Sequence, residues 1–114
     1  MIGIDIVSIE RIENALRKHD ERFLKRFLKD EEISRAKKSQ TVAGFWAAKE
    51  AIAKALGCGI GKELSFHDIT IKKRDNGSPY FILDERIKKE FNITSTALSI
   101  SHDRGFAIAV AIIM

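Results

Sequence analysis

Hydrophobic and polar positions alternate from the start of the chain. Ile2, Ile4 and Ile6 fall on one side and Gly3, Asp5 and Val7 on the other, a β-branched run that predicts a strand beginning almost at residue 1, with Asp5 pointing away from the isoleucines. The period then becomes helical. Ser8 is placed to cap a helix carrying Ile9, Ile12 and Leu16 at i, i+3 and i+7, whose outer face holds Arg11, Arg17 and Lys18. Phe23, Leu24, Phe27 and Leu28 continue the helical spacing, and Asp30 reads as the cap of a short helix with Ile33 and Ala36. The strongest helical pattern covers residues 42–56: Thr41 can cap it, its alanines favour it, Gly57 ends it, and it carries Lys49, Glu50 and Lys54.

Beyond a bend at Gly57, Gly59 and Gly61 the pattern turns to strands. Ile69 and Ile71 alternate with Thr70 and Lys72, Asn76-Gly77 signals a type I′ turn, and residues 79–83 return as the second arm of a hairpin. Asp84 caps a short helix with Ile87 and Phe91. Residues 94–101 alternate again, with His102 where that strand ends. After the tight turn Asp103-Arg104-Gly105, Phe106, Ile108, Val110 and Ile112 face one way and Ala107, Ala109 and Ala111 the other. The alanine stripe admits a close layer, either the chain's own long helix or a second copy of the protein; both remain open at this stage. One strand, a helical block and then mostly strands predict an α+β fold in a single domain over residues 1–114, with an antiparallel sheet packed against a long alanine-rich helix plus short helices.

The charge balance narrows the partners. Twenty Lys and Arg against 16 Asp and Glu give a net charge of +4, which favours anions such as phosphates, nucleotides or acidic proteins. An RNA-binding module fits less well, because aromatics make up only 8% of the residues, no strand offers a stacking platform, and the basic residues share their helices with many acids. No apolar run approaches the roughly 18 to 20 residues of a spanning helix, so no membrane association is expected. The first residues already read as a strand rather than a secretion signal, and the lone Cys58 suits a reducing compartment; a cytoplasmic location is the expectation.

Candidate chemistry begins with Asp5 and Glu50, two hard oxygen donors from separate elements, as few as Mg²⁺ needs when water and substrate phosphate complete its shell. The competing arrangement puts Asp5 at a solvated edge and pairs Glu50 with Lys54 at i, i+4. The stretch from Gly57 to Lys62 has the composition of a phosphate-cradling loop but follows a helix instead of preceding one, which excludes a Walker-type loop and leaves a glycine cap whose amides could still meet a ligand. His102 follows Ser99-Ile100-Ser101, but there is no nucleophile elbow, and a structural histidine is the competing role.

Taken in order, Gly3-Ile4-Asp5-Ile6-Val7 with Arg11, the Arg26-Phe27-Leu28 to Glu32 segment, Ala47-Ala48-Lys49-Glu50-Ala51 with Lys54, Gly57 to Gly61, Asn76-Gly77 with Pro79-Tyr80, and Leu98 to His102 make the chain resemble the small bacterial holo-acyl-carrier-protein synthases of the 4′-phosphopantetheinyl transferase superfamily. The resemblance runs nearly end to end. It implies transfer of the 4′-phosphopantetheine arm of coenzyme A to a serine of an apo acyl carrier protein, releasing adenosine 3′,5′-bisphosphate. By similarity Asp5 and Glu50 would hold Mg²⁺ and Lys54 would neutralise the pyrophosphate, with Glu50 or a metal-bound water as proton acceptor. Lys49, Gly57, Gly61, Asn76, Pro79 and His102 would line the coenzyme A cleft, and Arg11, Arg17 and Lys18 would meet the acidic carrier protein. The family typically forms homotrimers with sites between subunits. Two positions depart from the pattern: Phe45 stands where many relatives have an arginine, with Arg74, Lys62 or Lys37 as candidate replacements for its charge, and Asp103 follows His102 where an acid would repel a phosphate.

Overall fold

The computed structural model describes residues 1–114. In chain order it contains β1 (Ile2–Ser8), α1 (Ile9–His19), α2 (Glu21–Phe27), α3 (Asp30–Ile33), α4 (Ser39–Leu56), a 3₁₀ turn (Phe66–Asp68), β2 (Ile69–Lys73), β3 (Pro79–Leu83), α5 (Glu85–Glu90), β4 (Thr96–Asp103) and β5 (Phe106–Ile113). These form a three-stranded sheet in the order β1-β5-β4, a two-stranded sheet of β2 and β3, and helices around them, with all strand pairs antiparallel.

Local signals set most boundaries. Ser8 caps α1 by accepting the amide of Arg11, and Asp84 caps α5 through the amide of Arg86. Gly57 ends α4 in the left-handed conformation at φ 79°, donating to the carbonyls of Ala53 and Lys54. The helix starts earlier than expected, at Ser39, because Lys38 is extended and its carbonyl takes the amides of Thr41 and Val42.

Both hairpins form, with their turn types exchanged relative to the sequence signal. At the first, Gly77 donates to the carbonyl of Arg74 and only Gly77 has positive φ, so Asp75 and Asn76 make the bend and the glycine follows it. At the second, Arg104 (φ 49°) and Gly105 (φ 84°) form the two-residue loop with left-handed conformations at both positions that a type I′ turn requires.

The layer between α4 and the larger sheet is built from the smallest side chains. Ala107, Ala109 and Ala111 on β5 are fully buried against Ala43, Ala47, Ala48, Ala51 and their neighbours on α4, which assigns the alanine stripe to the chain's own helix. Gly3 makes the closest approach. A Cβ there would lie 2.0 Å from the carbonyl oxygen of Ala51 and 2.6 Å from the amide nitrogen of Ala55, so β1 runs backbone against backbone over α4.

The strand alternation is therefore inverted in burial. Gly3, Asp5 and Val7 face the helix, while Ile2, Ile4 and Ile6 are 69%, 59% and 58% exposed. Across the register Ile2 pairs with Ile112, Ile4 with Val110 and Ile6 with Ile108, so β1 and β5 share an apolar face on the side of the sheet opposite α4, bordered by Ser99, Ser101 and Asp103 of β4. No helix of the protein is long and apolar enough to cross a membrane.

Candidate active site

The close approach at Gly3 places Asp5, two residues further along β1, beside the C-terminal half of α4. Lys54 Nζ donates to Asp5 Oδ1 at 2.9 Å and to the carbonyl oxygen of Ile4 at 3.2 Å. The expected i, i+4 pair of Lys54 with Glu50 is replaced by this cross-element pair. Glu50 is half-buried in the same cluster. Loss of water pushes its carboxyl above the usual carboxylate range, the Asp5 charge adds to the effect, and Lys54 and Arg11 oppose it. Two carboxylates are thus held together at a cost that a cation would relieve.

That donor set fits Mg²⁺. It offers two carboxylates and hard oxygens only, which suits a metal that keeps water and phosphate oxygens in its shell. The Lys54 side chain remains 55% exposed despite its pairing with Asp5.

Lys49, expected in the coenzyme A cleft, is instead sealed in the core. Its ammonium has no exposure and all three donors are used, on the Phe27 carbonyl at 2.7 Å, Glu32 Oε1 at 2.8 Å and the Phe66 carbonyl at 3.0 Å. Burial lowers its pKa from the ordinary lysine value, with Glu32 resisting the change. Glu32 also accepts the amides of Lys29 and Ile71, so the pair ties α4 to α2, α3 and β2. The partner carboxylate is seventeen residues upstream, one of three consecutive acids in α3, and nothing in the sequence marks Glu32 as the one that is buried.

The glycine bend differs too. The Gly57 and Gly61 amides donate to backbone carbonyls, Gly61 to Leu64 at 2.8 Å, so neither has an N–H to offer a phosphate; their Cα sides face open space. His102 lies in register with Ala107, on the α4 side of β4, whereas Ser99 and Ser101 project from the opposite face. A Ser–His pair is excluded by that alternation.

His102 lines a groove of about 530 Å³ between β4, the N-terminal half of α4 and the β2–β3 hairpin, together with Gly77, Pro79 and Phe45. Asn76 stands behind this wall, its Oδ1 accepting the amide and hydroxyl of Ser78 to shape the turn. Asp5, Glu50 and Lys54 do not line the groove. A second groove of about 370 Å³ between α1, α2 and α4 contains Arg11, Lys18, Arg26 and Trp46. Arg17 lies outside it and bonds Asn14. Of the residues offered as replacements for an arginine at position 45, Arg74 stacks on Tyr80 at 4.8 Å, and none of Arg74, Lys62 or Lys37 reaches the groove.

Against known proteins, residues 1–111 match the family model of the 4′-phosphopantetheinyl transferase superfamily. The chain belongs to that superfamily. Among curated relatives of this superfamily, the holo-[acyl-carrier-protein] synthase of Wolinella succinogenes is 61% identical over 110 residues, 96% of this chain and 93% of that protein. That of Nitratiruptor sp. is 60% identical over 114 residues, covering 100% and 98%. The crystal structure of the Helicobacter pylori holo-[acyl-carrier-protein] synthase in complex with coenzyme A superimposes with a TM-score of 0.98 at 52% identity, covering both chains fully. The α+β architecture of this chain is thus the phosphopantetheinyl transferase fold.

Proposed function

We infer that this chain is a holo-[acyl-carrier-protein] synthase, transferring the 4′-phosphopantetheine group of coenzyme A to a serine hydroxyl of an apo acyl carrier protein. The observation that carries this reading is the clustering of Asp5, Glu50 and Lys54 at one end of α4, in a chain whose whole fold coincides with that of a coenzyme A-bound synthase. The serine Oγ forms a bond to the β-phosphorus, the bond from that phosphorus to the bridging oxygen breaks, and adenosine 3′,5′-bisphosphate leaves with the electron pair.

Asp5 and Glu50 would hold Mg²⁺, which when bound supplies Lewis-acid neutralisation of the pyrophosphate. Lys54, already an exposed donor at the site, turns its ammonium to the phosphate oxygens and stabilises charge on the leaving group. Glu50, through a water beside it, or that water alone would accept the serine proton. Arg11 connects docking to chemistry: it lines the basic groove on α1 and its charge also reaches Glu50, so an acidic carrier-protein helix seated along Arg11 and Lys18 delivers its serine beside the carboxylates. Arg17, outside the groove, adds long-range attraction.

The groove holding His102, Gly77 and Pro79 receives the adenosine end of coenzyme A. It lies apart from Asp5 and Glu50 on one chain, and the apolar outer face of β1 and β5 is uncovered; both features fit a homotrimer that brings one subunit's groove to a neighbour's carboxylates. The reaction is that of a cytoplasmic enzyme of fatty acid biosynthesis.

Mass spectrometry of an apo acyl carrier protein incubated with the protein, coenzyme A and Mg²⁺ tests this. A gain of one phosphopantetheine is expected, and its loss with EDTA and in Asp5→Ala and Glu50→Ala. No gain with several carrier proteins from a folded assembly would refute the reading.

A further inference from the structure

Lys49 and Glu32 are the only charged residues buried in the core, and the chemistry proposed above uses neither. Replacing such a pair by apolar residues of similar volume is often neutral or stabilising, so a gain in stability does not explain it. Its bonds run to many places. Lys49 Nζ donates to the last carbonyl of α2 at Phe27, to the Glu32 carboxylate and to the Phe66 carbonyl of the 3₁₀ turn. Glu32 also accepts the amides of Lys29 and Ile71. One side chain of α4 is therefore clamped by three segments and, through Glu32, by β2. None of these segments belongs to the β1-β5-β4 sheet.

The sheet side of α4 has no comparable anchor. Side chains that end at Cβ raise no ridges to seat in grooves, so the glycine and alanine seam fixes how near the strands come and leaves the rotation of the helix about its own axis weakly set. Glu50 depends on that rotation. It follows Lys49 and projects about 100° around the helix from it. Its carboxylate lies about 6 Å from the helix axis, so a rotation of about 10° moves it by about 1 Å, a displacement that costs about 100-fold in rate. We propose that the Lys49–Glu32 pair is a rotational lock: these positioning residues hold α4 at the angle that turns Glu50 toward Asp5, and so set the metal affinity and turnover of the site. This rests on the synthase reading of Asp5 and Glu50.

The test compares wild type with the double variant Glu32→Leu, Lys49→Met, which removes the lock and keeps an apolar fill, and with Glu32→Asp, which keeps the ion pair but draws the carboxylate back by one methylene. Each is followed by thermal melts, by kcat and KM for coenzyme A, and by Mn²⁺ binding in the presence of coenzyme A, read from the electron paramagnetic resonance signal of free Mn²⁺. Well below their melting points both variants are expected to lose about 10- to 100-fold in kcat, more than KM changes, and to bind Mn²⁺ about 10-fold more weakly. A double variant that melts near wild type but does not recover kcat is the signature of a lock. If the double variant does not fold, Glu32→Asp decides alone. Wild-type kcat and Mn²⁺ affinity in a folded variant, whatever its melting temperature, would assign the pair a purely structural role and overturn the proposal while leaving the synthase reading intact. Failure of wild-type protein to transfer phosphopantetheine or to bind Mn²⁺ would remove both.

Discussion

Replacing Gly3 by alanine adds a single methyl group at the point where β1 meets α4. That methyl would lie 2.0 Å from the Ala51 carbonyl oxygen and 2.6 Å from the Ala55 amide nitrogen, atoms of helix backbone that have no rotamer to turn away. Real Cβ contacts essentially never fall below 3.0 Å, so the strand must retreat by about 1 Å. Overfilling a packed core costs about 1–3 kcal/mol, and backbone on both sides puts this case near 3 kcal/mol. For a chain of this size that corresponds to a fall in melting temperature of about 12 °C, measured at one fixed protein concentration. The same displacement carries Asp5 away from Lys54 and Glu50. A shift of about 1 Å in a reacting site costs about 100-fold in rate, so kcat/KM of Gly3→Ala should fall by that order even well below its melting point. Thermal melts followed by circular dichroism and a phosphopantetheine-transfer assay read both effects. A Gly3→Ala protein that melts within about 2 °C of wild type and transfers normally would refute the argument that backbone contact at Gly3 positions the site.

Three further outcomes are expected. Lys49→Met leaves the Glu32 carboxylate buried without its counter-ion, and should lower stability by about 3–5 kcal/mol in urea titrations; the paired variant Glu32→Gln with Lys49→Met should recover part of that loss. For Glu50 the folded-state pKa lies above the ordinary carboxylate value of 4.5, so the folded metal-free protein binds the extra proton and loses stability as pH rises from 4.5 through the raised value. Melts in EDTA should therefore show Glu50→Gln gaining on wild type across that window and levelling above it, and a constant difference would contradict the assignment. If the proposed homotrimer uses the outer face of β1 and β5, charging it with Ile4→Glu and Ile108→Glu should give monomers by light scattering and abolish transfer, and an unchanged mass would contradict that use of the face.

Much of this architecture was legible because period and punctuation agree. The alternation of residues 2–7, the Ser8 and Asp84 caps, the alanine-rich helix ended by Gly57 and the final hairpin all appear where their local chemistry puts them. What alternation does not state is which side is covered. Isoleucine outranks glycine as a core residue, yet Gly3 faces the helix because its lack of a side chain permits contact, and Ile2, Ile4 and Ile6 face outward. The turn exchange has a similar origin. Asn76-Gly77 carries the stronger dipeptide signal, but the five residues between β2 and β3 allow a longer loop, whereas pairing of Asp103 with Phe106 leaves Arg104 only a left-handed conformation.

The site follows the same division. Asp5, Glu50 and Lys54 come together as spacing allowed, because strand and helix periods fixed their faces. Lys49 differs by one residue from Glu50 and so by about 100° around the helix, enough to point into the core instead of the cleft. Its carboxylate partner is on α3, and nothing local to Lys49 announces that contact. The Gly57 and Gly61 amides show the converse case, in which a composition suited to phosphate is consumed by the chain's own carbonyls.

The seam of glycine and alanine between α4 and the sheet also has a thermal meaning. Side chains that end at Cβ have no rotamers to lose on folding and none to sample afterwards. Ordinary cores soften on warming as their longer side chains hop between wells; this seam has almost no such freedom. The spacing between Asp5 and Glu50 is set by two backbones in contact, so it should stay constant up to the temperature at which strand and helix part. Heat would then remove the site in one step, without first blurring it.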